Sequence, residues 1–195
     1  MIETQTLPLD QLNEAIAADL DASFEYMVLA FQDRLYRFAL RLTDNPQDAE
    51  EIAQDAFVRA YKALSSYSPE RRLTLAIRPW LYQIALNVFR NRVRTAHPPT
   101  DSLEADEIEI SDASEDRPEQ RATISERDGE LARQVAELPR HYREVLVLHY
   151  VEDLTFLEIA DLLDQPLGTV KSKVSRGIDL LRRKLTTPAT TMLMR

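Results

Sequence analysis

Thr155-Phe156-Leu157-Glu158-Ile159-Ala160-Asp161-Leu162-Leu163-Asp164-Gln165-Pro166-Leu167-Gly168-Thr169-Val170-Lys171-Ser172-Lys173-Val174-Ser175-Arg176 carries the strongest structural signal in this chain. Thr155 and Glu158 form a capping-box pattern, in which the threonine hydroxyl covers one free amide of a helix's first turn and the glutamate returns to another. The helix so opened buries Ile159, Leu162 and Leu163, and Gln165-Pro166-Leu167-Gly168 reads as a turn. A second helix follows with Val170, Val174, Ile178, Leu181 and Leu185 inward. Lys171, Ser172, Ser175, Arg176 and Asp179 stand on its other face. A short helix, a tight turn and a second helix with a basic outer face is a helix-turn-helix arrangement. Gly177 within that second helix weakens it by about 1 kcal/mol relative to alanine. Upstream, Pro139 opens a helix whose Val145-Leu146-Val147-Leu148 run is apolar nearly all round, which makes it central to a small domain.

The same periodicity runs through the first half. Phe24, Met27, Val28, Phe31, Leu35, Phe38 and Leu42 make one face of an amphipathic helix. Asn45-Pro46 ends it and starts another, since proline suits a first helical turn. That next helix buries Ile52, Ala53, Ala56, Phe57, Ala60 and Leu64, and presents Asp48, Glu51, Gln54, Asp55 and Val58 on its opposite face. A loop around 65–72 leads to a segment whose apolar positions are Trp80, Leu81, Ile84, Val88 and Val93.

Composition narrows the possibilities. Three glycines in 195 residues are too few for the turns of a barrel or sandwich, or for a phosphate-cradling loop. The absence of cysteine excludes disulfides, thiolate metal sites and cysteine nucleophiles. No apolar run approaches the roughly 20 residues that span a bilayer, and the amino terminus lacks the pattern of a signal peptide, so the expected location is the cytoplasm. The formal net charge of −9 conceals an uneven distribution. Residues 96–130 hold twelve acidic and three basic residues, the whole imbalance of the protein. By contrast, 76–95 carries Arg78, Arg90, Arg92 and Arg94 with no acid, and 165–185 carries six basic residues against Asp179 alone. Two basic stripes parted by an acidic connector, which also contains His97-Pro98-Pro99, point to two domains and a linker.

The predicted fold is therefore all-α: two small helical domains joined by an acidic flexible linker, the C-terminal one a helix-turn-helix. The expected boundaries are an N-terminal extension at 1–22, a first domain at 23–96, a linker at 97–124, a second domain at 125–187 and a tail at 188–195. On the second domain's outer helix, Lys171, Ser172 and Ser175 suit a major groove, and Arg176 suits either bidentate contact with guanine or a phosphate. Arg183, with Arg182 and Lys184, suits the DNA backbone.

Asp48 to Tyr61 (Asp-Ala-Glu-Glu-Ile-Ala-Gln-Asp-Ala-Phe-Val-Arg-Ala-Tyr) resembles the polymerase-binding helix of bacterial RNA polymerase sigma factors. Pro79-Trp80-Leu81-Tyr82-Gln83-Ile84-Ala85-Leu86-Asn87 is similar to the next element of their extracytoplasmic-function (ECF) class in the sigma-70 family, and Gly168 to Arg176 to its promoter-reading helix. The resemblance covers about 24–94 and 131–185. It implies region 2 in the first domain, with Asp48, Glu51, Gln54 and Asp55 meeting the clamp coiled coil of the polymerase largest subunit. It implies a pocket for a base of the melted minus-ten strand, with Asn87 as a loop asparagine, Tyr67 as the aromatic of the preceding loop, and Arg90, Arg92 and Arg94 along the backbone. It implies region 4 in the second domain, with Thr169, Lys171, Ser172, Ser175, Arg176 and Arg183 on the minus-thirty-five duplex. Core RNA polymerase (clamp and β-subunit flap), promoter DNA and an anti-sigma factor are the implied partners.

Other assignments stay open on the residues themselves. Asn87 could instead cap a helix, and Trp80 could be core or a strand-separating wedge. A stand-alone helix-turn-helix regulator is the alternative function. An enzyme using Asp48, Glu51 and Asp55 as metal carboxylates is disfavoured, because His97, His141 and His149 offer no ligand pair on one helix. No catalytic residue, metal or cofactor is expected.

Overall fold

The structure, a computed structural model, describes residues 8–96 and 126–186. The expected linker at 97–124 and tail at 188–195 lie outside the described residues. The chain divides into two compact units, Met1–His97 and Pro98–Arg195. All regular structure among the described residues is helical.

The first unit contains α1 (Leu9–Ala18), α2 (Leu20–Thr43), α3 (Pro46–Ser66), α4 (Pro69–Leu73) and α5 (Ile77–Ala96). Short polar residues set the boundaries. Asp19 caps α2 by accepting from the Ala22 amide. Asp44, in the left-handed region at φ 52°, ends α2 and returns its N–H to Leu40. Asn45 then caps α3 by accepting from the amides of Gln47 and Asp48, with Pro46 in the first turn. The core is the expected apolar face of α2 (Met27, Phe31, Leu35, Phe38, Leu42) closed by Ile52, Ala56, Ala60 and Leu64 of α3. Alanines at 49, 53, 56 and 60 allow α3 to pack closely on its neighbours, and Tyr82 of α5 is buried against Phe38 with ring centroids 5.0 Å apart.

Two segments differ from expectation. The N-terminal extension contributes α1, whose Leu12 and Ile16 are fully buried, so it belongs to this core. The predicted loop at 65–72 contains the end of α3 and a short helix: Ser68 caps α4 and Pro69 occupies its first turn. Ser-Pro-Glu is a recognisable helix start, but five residues give no periodicity to detect.

The second unit contains α6 (Glu126–Ala136), α7 (Arg140–Leu146), a π-helical turn (Val147–Val151), α8 (Phe156–Leu163) and α9 (Leu167–Thr186). The π turn interrupts the helix predicted from Pro139; the Glu152 N–H reaches back five residues to the Val147 carbonyl. Both halves of the Thr155–Glu158 capping box are present. The turn starts one residue earlier than predicted and ends two residues earlier. Asp164, at φ 52°, ends α8, and the Pro166 carbonyl accepts from Thr169 and Val170, so Leu167 and Gly168 already belong to α9. An aspartate thus supplies the left-handed residue, and Gly168 has no positive φ. Gly177 has a packing role beside its cost in helix propensity. A Cβ there would lie 2.9 Å from Leu146 Cδ1 and 3.3 Å from Tyr142 Cβ, so its bare backbone is what lets α7 and α9 meet.

Candidate functional site

The carboxylate face of α3 forms as the spacing predicts. Gln54 and Asp55 are exposed, and Asp48 and Glu51 are half-buried beside them, with Val58 exposed at the end of the stripe. Its surroundings add a partner that the spacing does not predict. Arg92 of α5 crosses to this face, its Nη1 3.3 Å from Asp48 Oδ1 and its Nη2 hydrogen-bonded to Glu51 Oε2. The hydrogen bond from Arg92 holds the Glu51 carboxyl below its ordinary value, assisted by one from Gln47 and by the arginine's charge. In turn, Glu51 raises the guanidinium's affinity for its proton.

This geometry corrects the grouping of Arg90, Arg92 and Arg94 as one DNA-tracking set. Residues two apart on a helix differ by about 200° in direction, so Arg92 cannot share a face with the other two. Arg90 and Arg94 lie four apart and in register with Gln83 and Asn87. Arg94 is exposed and donates to Asn91 Oδ1 at 3.1 Å, while Arg90 is half-buried. Asn87 also departs from expectation. It is exposed in the middle of α5, neither in a loop nor at a cap, because no glycine or proline interrupts the helix between Trp80 and Ala96.

Tyr67 terminates α3 and stands at the corner between α3 and α4. Its ring is half-buried, with the Arg71 guanidinium carbon 3.7 Å from the ring centroid and the Trp80 ring 6.1 Å away. Trp80, also half-buried, is therefore neither sealed in the core nor an isolated wedge. Trp80, Ile84 and Asn87 follow one another along a single side of α5, so the aromatic corner and the Asn87 amide belong to one surface. The guanidinium of Arg71 is the member of this cluster that the sequence did not disclose; its Tyr-Ser-Pro-Glu-Arg spacing is the available signal.

In the second unit, Val170 and Val174 are buried while Thr169, Lys171, Ser172, Ser175 and Arg176 are exposed on α9. Arg183 lies farther along, also exposed. Two lysines have internal partners: Lys173 donates to Gln165 Oε1 across the turn at 3.1 Å, and Lys184 pairs with Glu137 at 3.0 Å. Lys173 thus fastens the turn, and Lys184 ties the end of α9 to the α6–α7 connection. The result is a rigid rod with small polar and cationic side chains on its outer first turns, dimensions that suit a major groove. Among the described residues, no group of three or more His, Asp or Glu is placed to hold a metal ion, and no helix is long and apolar enough to cross a membrane.

Comparison with known proteins bears on both units. The family description "Sigma-70 region 2" matches residues 27–97, and "Sigma-70, region 4" matches 128–181. The chain is 32 % identical over 184 residues to the ECF RNA polymerase sigma factor SigW of Bacillus subtilis, covering 90 % of this chain and 95 % of that one. It is 28 % identical over 182 residues to the RNA polymerase sigma-H factor of Pseudomonas aeruginosa, covering 90 % and 92 %. Among solved structures it is similar to the sigma factor RpoE of Bartonella quintana, crystallised with the anti-sigma factor NepR. The TM-score is 0.65 at 22 % identity, covering 85 % of this chain and 98 % of that one. A sequence match through almost the full length of SigW, with both sigma-70 regions in order, shows that the chain belongs to the ECF RNA polymerase sigma factors, which direct transcription initiation.

Proposed function

We propose a division of labour between the two units. The first docks on core RNA polymerase through Asp48, Glu51, Gln54 and Asp55, which offer acceptors to basic side chains of the largest-subunit clamp. It then captures unpaired minus-ten bases at the Tyr67–Trp80 corner, where an aromatic face stacks a base and the Asn87 amide supplies both a donor and an acceptor. Arg90 and Arg94 follow the strand's phosphates. Arg92 acts on the other side, aligning the Asp48 and Glu51 carboxylates for the polymerase.

The second unit reads the minus-thirty-five duplex with Thr169, Lys171, Ser172, Ser175 and Arg176, uses Arg183 on the backbone, and meets the β-subunit flap. The acidic stretch at 97–124 joins the two as a polyanionic tether suited to basic channels of the polymerase. This assignment needs no catalysis from the chain and places it in the cytoplasm with the polymerase. An anti-sigma factor is the proposed regulator, since the similar RpoE is held by one.

The observation that carries this proposal is the exposed cationic first half of α9, set on a capped helix-turn-helix. A mobility-shift assay on promoter DNA, with and without core polymerase, tests it. Specific retention that requires core enzyme is expected. Equal retention by the chain alone would instead favour a stand-alone regulator.

A further inference from the structure

We infer that Asn13 is a positioning residue for promoter-strand capture: from α1, it fixes the α3–α5 connection on which Tyr67 sits. This rests on the proposal that the Tyr67–Trp80 corner receives an unpaired base. Helix α1 lies outside the residues matched by region 2. It is nonetheless seated firmly, with Leu12 and Ile16 buried. The Asn13 side-chain amide nitrogen lies 2.8 Å from the Arg72 carbonyl, 2.8 Å from that of Leu75 and 3.3 Å from that of Leu73. One donor group thereby serves three backbone acceptors about 60 residues away in sequence.

The need for it is physical. A helix of five residues such as α4 cannot hold itself together, and its C-terminal carbonyls rely on groups beyond it. The Thr74 N–H reaches the Glu70 carbonyl at 3.3 Å, the Leu75 N–H reaches that of Arg72 at a long 3.4 Å, and Asn13 adds the shorter contacts. Arg72 ties the same segment in two further directions. Its Nε donates to the Leu64 carbonyl at the end of α3 at 2.9 Å, and its Nη1 to the Ile16 carbonyl of α1 at 3.4 Å. The neighbouring residue in α4 is Arg71, whose guanidinium covers the Tyr67 ring. Helix α1 thus sets α4, α4 sets Arg71, and Arg71 with Trp80 sets the ring on which a base would stack. Preorganising such a surface lowers the ordering cost of binding, so releasing it weakens capture without touching the polymerase or duplex contacts.

The test uses the full chain assembled with core polymerase. The probe is a labelled non-template-strand oligonucleotide spanning the minus-ten region of a promoter that this holoenzyme transcribes. Asn13→Asp keeps the shape but turns the donor into a charged acceptor facing carbonyls, Asn13→Ala removes the donor without adding charge, and Asn13→Gln keeps the amide. Asn13→Asp and Asn13→Ala are expected to weaken probe binding about tenfold, the loss of one to two hydrogen bonds, with Asn13→Gln restoring part of it. Co-purification with core enzyme and binding of minus-thirty-five duplex should stay at parental levels, which a general loss of folding would not allow. If Tyr67→Ala weakens probe binding and both donor-lacking variants stay within about twofold of the parent, the role of Asn13 is overturned and base capture stands. If Tyr67→Ala leaves binding unchanged, base capture at this corner fails and the role of Asn13 fails with it.

Discussion

Replacing Gly177 with alanine separates two opposite physical effects at one position. In an open helix the change stabilises by about 1 kcal/mol, because alanine loses less backbone freedom than glycine on folding. Here the added Cβ would sit 2.9 Å from Leu146 Cδ1, 3.2 Å from Leu146 Cγ and 3.3 Å from Tyr142 Cβ. Carbon atoms rest at about 3.5–4.0 Å. Leu146 is buried between α7 and its neighbours, so it has little room to move away. Overpacking of this kind costs about 1–3 kcal/mol. The net expectation is a loss of about 1 kcal/mol, the difference between the two effects. In a domain this small, that corresponds to a melting temperature lower by about 4–8 °C. Gly168 is the internal control: nothing lies within 4 Å of a Cβ built there, so Gly168→Ala should be neutral or stabilising. Thermal unfolding of the full chain by circular dichroism, with amide exchange in α7 and α9 to localise the change, reads both variants. A rise in stability for Gly177→Ala comparable with that of Gly168→Ala would refute the packing argument.

Three other outcomes are expected. Asp55→Lys, a reversal at an exposed position on the α3 face, should sharply reduce co-purification with core polymerase while leaving helix content unchanged; undiminished recovery would contradict the docking assignment. Arg176→Ala should relax promoter choice by about 1–3 kcal/mol at one base pair if the side chain reads a base, or weaken all duplexes alike if it holds a phosphate; competition binding with single-base-pair variants distinguishes these. Because Arg92 holds the folded-state value of Glu51 below 4.5, their bond contributes fully above that pH and is lost as pH falls through the lower folded value. Arg92→Ala should therefore move the carbon-13 carboxyl titration of Glu51 upward; an unmoved titration would show that the contact is not held in solution.

Helix identity was legible wherever apolar periodicity and caps agreed. The Thr155–Glu158 box, Asn45-Pro46 and the α2 stripe each fix an element by local chemistry. Direction around a helix is equally legible: 100° per residue already separates Arg92 from Arg90 and Arg94. The resemblance assigns Asn87 to a loop, whereas nothing in 80–96 breaks a helix and the residue lies within α5. Other features could not be read locally. The clasp of Asn13 on the 72–75 carbonyls joins residues about 60 apart, and the closeness of Gly177 to Leu146 depends on how two helices cross. The π turn at Val147–Val151 begins inside the apolar run of 145–148, where no periodicity marks a change of winding.

Helix α5 serves two faces from one uninterrupted length, with Arg92 on the carboxylate side and Gln83, Asn87, Arg90 and Arg94 on another. Inserting or deleting a single codon between 84 and 91 would spin everything beyond it by about 100°. The salt-linked arginine would leave its carboxylates, and the face carrying Gln83 and Asn87 would lose its register with Arg94 in the same stroke. Single-residue changes of length are thus incompatible with both faces of this rod, and only a change of three or four residues, close to one full turn, would come near to keeping them in register.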